Sequence, residues 1–141
     1  MNMNTFKEFN LVKDLGFVRT GVNKFKGKKK YYSTGSIKYN NIIHQGEYSF
    51  ENKPSRANRI VKEGDVLQAR MKNTNKGILI NQKMNESLFS TGFFQFRPNK
   101  SLVLPEYLYH LISSNFFANF KDMLCEGSTQ KAINDKSLGK I

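Results

Sequence analysis

Residues 87–114 read SLFSTGFFQFRPNKSLVLPEYLYHLISS, and this stretch decides the fold. Leu88, then Phe93, Phe94 and Phe96 beyond the Gly92 break, form an aromatic run that suits a pleated sheet. Pro98 and Asn99 stop the strand, because proline lacks the ladder N–H and restricts the residue before it. Pro105 sits where a helix takes its first residue, with Glu106 beside it at the positive end of the helix dipole. From there Leu108, Leu111, Ile112, Phe116, Phe120, Met123 and Leu124 recur at three- and four-residue steps. The spacing predicts one amphipathic helix of about four or five turns packed on the sheet. Its large apolar side chains, each contributing about 1.5–3 kcal/mol when buried, anchor a core.

Upstream, Val66 to Ala69 reads as a strand after the tight turn Gly64-Asp65, and Ile78 to Ile80 reads as another. Phe17-Val18, Ile37 with Tyr39, Ile42-Ile43 and Ile60-Val61 are shorter strand candidates, and Gln45-Gly46 is a turn. Before Gly16, the apolar residues Phe6, Phe9, Leu11, Val12 and Leu15 fit a helix or a strand. Downstream, Gly127 is placed to cap the long helix. Asn134 or Asp135 is placed to cap a new helix running to Leu138 and Ile141, which breaks off in mid-element. Five to seven short strands and one major helix give an α+β fold. It is a single domain with a mixed, mostly antiparallel sheet packed by one long amphipathic helix. A chain of 141 residues is one domain with one real core by its size.

Charge is the strongest functional signal. Twenty-three Lys and Arg against eleven Asp and Glu give a net charge of +12 and a pI near 9.9. Such a balance implies a polyanionic partner, nucleic acid first and an anionic membrane surface second, against the plain alternative of a soluble basic protein. The segment KFKGKKKYY at 24–32 places Lys24, Lys26, Lys28, Lys29 and Lys30 among Phe25, Tyr31 and Tyr32. Ammonium groups this close repel one another, so an anion lying over them relieves the loop. The aromatics either stack on sugars and bases or anchor the loop to the core. Two further polar loops, 52–59 and 70–77, carry Arg56, Arg59, Arg70, Lys72 and Lys76. Loops on a rigid scaffold are where recognition residues sit, with Lys and Arg on phosphates and Arg, Lys, Asn, Gln, Ser or Thr at base edges. The candidate contacts are therefore Lys24, Lys26, Lys28, Lys29, Lys30 and Tyr31, followed by Arg56, Arg59, Arg70, Lys72 and Lys76. Charge alone does not separate DNA from RNA.

Catalytic patterns are missing. Cys125 is the single cysteine, which excludes a disulfide framework and a cysteine-rich zinc site, and it reads as a small core residue. His44 and His110 stand far apart in sequence and read as ordinary structural or surface residues. A metal-dependent nuclease needs acidic residues on adjacent strands, and Asp65 is the only carboxylate beside a confident strand. Neither GxGxxG nor GxxxxGK[ST] occurs, and the strand pattern leaves no room for a methyltransferase sheet. No apolar run approaches the roughly 20 residues needed to span a bilayer, and the N-terminus lacks a signal-peptide core. A cytoplasmic binding protein with no catalytic or metal site is expected, with a small nuclease and an RNA-binding module as the alternatives.

Several short motifs then add up. Tyr31-Tyr32-Ser33-Thr34-Gly35-Ser36-Ile37, Arg59-Ile60-Val61 leading into Gly64-Asp65-Val66-Leu67, and Ser90-Thr91-Gly92-Phe93 leading into Arg97-Pro98 resemble a target recognition domain. The family is the DNA-specificity subunit of type I restriction-modification systems. Pro105-Glu106-Tyr107-Leu108 and Gly127-Ser128-Thr129-Gln130-Lys131-Ala132-Ile133 fit it too, in the same order, so the similarity runs over residues 11–141. The resemblance implies two recognition domains per full subunit, separated by long helices, each reading one half of a split duplex target. It implies no catalysis by the subunit itself. Partner methyltransferase subunits would bind S-adenosylmethionine, and restriction subunits would join the complex. On this pattern residues 1–134 are one recognition domain and 135–141 the start of a truncated connecting helix.

Overall fold

Two strands, not one, come out of the stretch 87–114, and they lie in different sheets. The computed structural model describes residues 11–125 and 131–141. A short helix α1 (Leu11–Asp14) leads into β1 (Phe17–Val18), and β2 (Lys28–Tyr32) follows. Next come β3 (Ile37–Lys38), β4 (Asn41–Ile42), β5 (Gly46–Ser49), β6 (Ala57–Ile60), β7 (Val66–Ala69) and β8 (Ile78–Leu79). The strands end with β9 (Leu88–Ser90) and β10 (Phe93–Phe96), before α2 (Pro105–Ile112), α3 (Asn115–Met123) and α4 (Asp135–Leu138).

One sheet has the order β1-β10-β7-β8, all antiparallel, and a second has the order β5-β2-β9-β6. Within the second sheet β2 and β9 run parallel, with Tyr31 beside Leu88 and Tyr32 beside Phe89, while the outer pairs are antiparallel. β3 and β4 make a small ribbon of their own. The turn Thr91-Gly92 carries the chain from the second sheet to the first. Every residue of β7 and β10 is buried, because the first sheet is covered on both faces. On one side Val66, Phe94 and Phe96 pack with Leu108, Ile112, Phe117, Ile133 and Leu138 from the helical layer. On the other, Leu67, Ile78 and Phe93 pack with Tyr32, Ile37 and Phe89 of the second sheet and its neighbours. The fold is α+β in three layers: helices, first sheet, second sheet.

The single long helix of the sequence-based expectation is two helices. Ser114 caps α3, its Oγ accepting from the N–H of Phe117 at 3.1 Å and donating to Leu111 O at 2.6 Å. The backbone turns there, so the apolar rows of α2 and α3 do not form one stripe. Leu108, Ile112 and Phe117 are buried, whereas Phe116 and Met123 are largely exposed and Leu111 and Phe120 lie at the surface. The ends of α2 follow the expected chemistry, with Pro105 in its first turn and Glu106 beside it. Gly16, at φ +77°, ends the first apolar segment, and an added Cβ would run into the carbonyl of Arg97, whose N–H donates to Gly16 O at 2.7 Å. The expected cap at Gly127, and the apolar residues Phe6 and Phe9, lie outside the described residues.

Candidate nucleic-acid interface

The lysine-rich segment is not a loop throughout: from Lys28 it is strand β2, paired with β5 on one side and β9 on the other. Alternation along a strand sorts its residues. Lys28 and Lys30 are exposed, Lys29 and Tyr31 half-buried, and Lys24 and Lys26 exposed ahead of the strand. The aromatics are engaged with one another. Phe25 meets Phe50 edge-on at 5.6 Å, Tyr31 meets Tyr48 at 5.9 Å, and Tyr32 is buried on Phe89 at 5.0 Å. The Lys29 ammonium lies 5.3 Å over the Phe25 ring and the Lys53 ammonium 5.4 Å over Phe50. Five ion pairs occur among the described residues, and none includes a lysine from 24–30. Glu47 faces Lys30 across the β2–β5 register without pairing with it.

The second group of candidates separates. Because β2 and β9 are parallel, Thr34 and Thr91 leave the second sheet at the same end, and β6, antiparallel to β9, starts there with Arg56 just before it. A cleft of about 380 Å³ opens there, lined by Thr34, Arg56, Arg70, Lys76, Thr91 and Gly92 among others. Arg56 is exposed. Arg70 reaches Ile133 O at 3.0 Å and the Asp135 carboxylate at 2.6 Å, and Lys76 donates to Thr34 O at 2.8 Å. Lys72 is half-buried, and its N–H donates to Lys131 O.

Arg59 is a correction. It is 1% exposed, its Nη1 donating to Val18 O at 2.9 Å, so it ties β1 to β6 and presents no surface to a ligand. Burial, reinforced by Arg70 and opposed by Asp135, lowers its pKa to about 10. Lys121 is the cation that the sequence-based search missed. It is 1% exposed, and its Nζ donates to Met71 O at 2.8 Å and Thr74 O at 2.6 Å, which fixes the loop after β7. Burial pushes its pKa down, with Asp122 opposing.

Asp65, the one carboxylate weighed for metal chemistry, is fully buried in a closed corner. It accepts from Arg97 Nε and Nη2, from Gln95 Nε2 and from the Lys62 N–H, each at 2.9 Å. No group of three or more His, Cys, Asp or Glu is arranged to hold a metal among the described residues, and there no helix is long and apolar enough to cross a membrane.

Searching known proteins with this chain, no family model matches. The specificity subunit of the type I restriction enzyme HindI from Haemophilus influenzae is 27% identical over 97 residues, 68% of this chain and 21% of that protein. The HsdS subunit from Thermoanaerobacter tengcongensis superposes with a TM-score of 0.73 at 23% identity, over 92% of this chain and 35% of that one. A chain from a structure of the type I R-M system, solved for its complex assembly and conformational transition, gives 0.79 at 23% identity over 93% and 35%. The resemblance is to a segment of a type I specificity subunit. The present chain thus spans about a fifth of the curated specificity subunit and about a third of each solved chain. Within this specificity-subunit fold the exposed Lys24, Lys26, Lys28 and Lys30 lie ahead of and along the start of β2, and the arginine-lined cleft lies at its end.

Proposed function

We propose that the chain is a target recognition domain that reads one half of a bipartite site in double-stranded DNA, as part of a type I specificity subunit. One observation carries this reading. Lys24, Lys26, Lys28 and Lys30 stand exposed on and before a paired strand, without a carboxylate partner among the described residues, in a chain with the specificity-subunit fold. Such a row suits the phosphates of a duplex, which position a protein on DNA without specifying sequence. In this scheme the chain is non-catalytic and acts in the cytoplasm. It directs methyltransferase subunits, which bind S-adenosylmethionine, and restriction subunits to the site. Residues 1–134 form the recognition domain, and 135–141 begin the connecting helix.

Domain exchange tests it. Residues 1–141 replace one recognition domain of an intact type I specificity subunit, which is co-expressed with its methyltransferase, and the host genome is read for modified adenines. A new half-site joined to the retained one is the expected result. A chimera that is soluble and assembled but directs no new methylation would overturn the proposal.

A further inference from the structure

Of the cations lining the cleft at the end of β2, only one is unspent. Arg70 is held by Phe93 O, Ile133 O and Asp135, Lys76 by Thr34 O, and Lys121 behind them is closed on carbonyls. The Arg56 guanidinium has no hydrogen bond or ion pair among the described residues, and neither have the Thr34 and Thr91 hydroxyls beside it. The backbone of Arg56 is nevertheless held in place. Its carbonyl accepts from the Asn58 N–H at 2.8 Å and the Thr91 N–H at 2.9 Å, fixing its backbone to β6 and to the turn between the sheets. Its guanidinium rests over Gly92: a Cβ added there would come within 2.8 Å of Nη2 and 2.9 Å of the Thr34 methyl.

We propose that Arg56, with Thr34 and Thr91, is a specificity-determining site that takes the O6 and N7 acceptors of a guanine in the major groove of the target. This rests on the duplex-reading function proposed above. A guanidinium presents a rigid fork that matches two in-plane acceptors, and guanine is the base whose major-groove edge offers such a pair. A phosphate site gains chiefly from accumulated charge. Here the neighbouring cations are turned into the protein, so the cleft offers one uncommitted guanidinium fork rather than a concentration of charge. The lysines of 24–30 have the opposite character, with several exposed ammonium groups and no planar fork. Positioning thus falls to the start of β2 and base reading to its end.

The test uses the same chimeric subunit with its methyltransferase, carrying Arg56 or Arg56→Lys, together with duplex binding at several salt concentrations. With Arg56, the new half-site contains at least one G·C pair. With Arg56→Lys, which keeps the charge and loses the fork, methylation of sites altered at one such pair rises about tenfold to a hundredfold relative to the intact site. The other positions of the motif stay as they were. An unchanged motif in Arg56→Lys would overturn the inference. So would an Arg56→Ala variant that weakens all duplexes equally and lowers the salt slope by about one with the motif intact, since that marks a phosphate contact. A half-site without a G·C pair overturns it while leaving the duplex-reading function standing. Absence of any new half-site with Arg56 present refutes that function instead.

Discussion

Asp65 holds four donors with no exposed atom, so at the residue scale it is a structural corner. Replacing it with alanine leaves the Lys62 N–H and Gln95 Nε2 short of a partner, whereas half-exposed Arg97 turns to water. Asp65→Ala is expected to cost about 2–4 kcal/mol, seen as a lower urea midpoint at unchanged m-value, with duplex affinity intact below the transition. Loss of duplex binding from a fully folded Asp65→Ala protein would refute this. Lys121 carries a sign of its own. Burial holds its folded pKa below the ordinary lysine value, so between the two values the unfolded chain binds the extra proton and stability rises with pH. That contribution is fully present above the unfolded value of about 10.4 and is lost as pH falls through the folded one. Lys121→Met strands the Met71 and Thr74 carbonyls and costs about 1–3 kcal/mol at neutral pH. The gap from the native protein should widen as pH rises toward about 10.4, and a constant gap between pH 7 and 10, measured by urea unfolding, would contradict it. Both buried cations had a faint signal in the sequence. Arg59 alternates with Ala57 and Val61, the inward phase of its strand, and Lys121 lies four residues after Phe117, on the apolar row of its helix. For Arg59 composition outvoted the phase, since a basic residue in a basic chain reads as a ligand contact, whereas Lys121 was passed over among the apolar positions of its helix.

Elements were legible where the deciding chemistry is local. Val66–Ala69 follows its Gly64-Asp65 turn, and α2 starts at Pro105, because turns and first helical turns are set by neighbouring residues. The helix break was not, because Ile112, Phe116 and Phe120 keep four-residue spacing across it and mask the capping serine. Nor was the sheet order: the parallel β2–β9 pair joins residues more than fifty apart, which no local pattern encodes. Two predictions belong to this scale. Ser114→Ala removes the cap on Phe117 N–H and should lower stability by about 1 kcal/mol in urea unfolding; a neutral result would mean water caps α3 equally well. Replacing Lys24, Lys26, Lys28 and Lys30 together by glutamine should reduce the slope of log affinity against log salt by about 3 to 4 for duplex DNA, with the fold unchanged by circular dichroism. An unaltered slope would move the phosphate contacts elsewhere on the molecule.

For the whole molecule, the arrangement of charge and aromatic rings favours a duplex over a single strand. Of the eleven carboxylates, Asp65, Glu86, Asp122 and Asp135 are those in ion pairs among the described residues, and none of these pairs neutralises the lysines ahead of and along β2. Single-stranded RNA is held largely by stacking on free aromatic faces. The three rings that the lysine-rich segment supplies are all committed: Tyr32 to the core, Tyr31 to Tyr48 and Phe25 to Phe50. Freeing them would break contacts worth about 0.5–1.5 kcal/mol per pair before any base is gained. The lysine-rich segment therefore offers charge without free stacking platforms of its own, which rewards the dense, regular phosphates of a duplex. In competition at fixed salt, unlabelled duplex DNA should displace a labelled duplex at a much lower excess than single-stranded RNA of equal length. Affinity for the duplex should fall by on the order of 10³–10⁵ between 50 and 200 mM salt if six to ten phosphates are engaged. Equal competition by single-stranded RNA would refute the duplex preference and move the stacking to rings that are already exposed, such as Tyr39 beside Lys38.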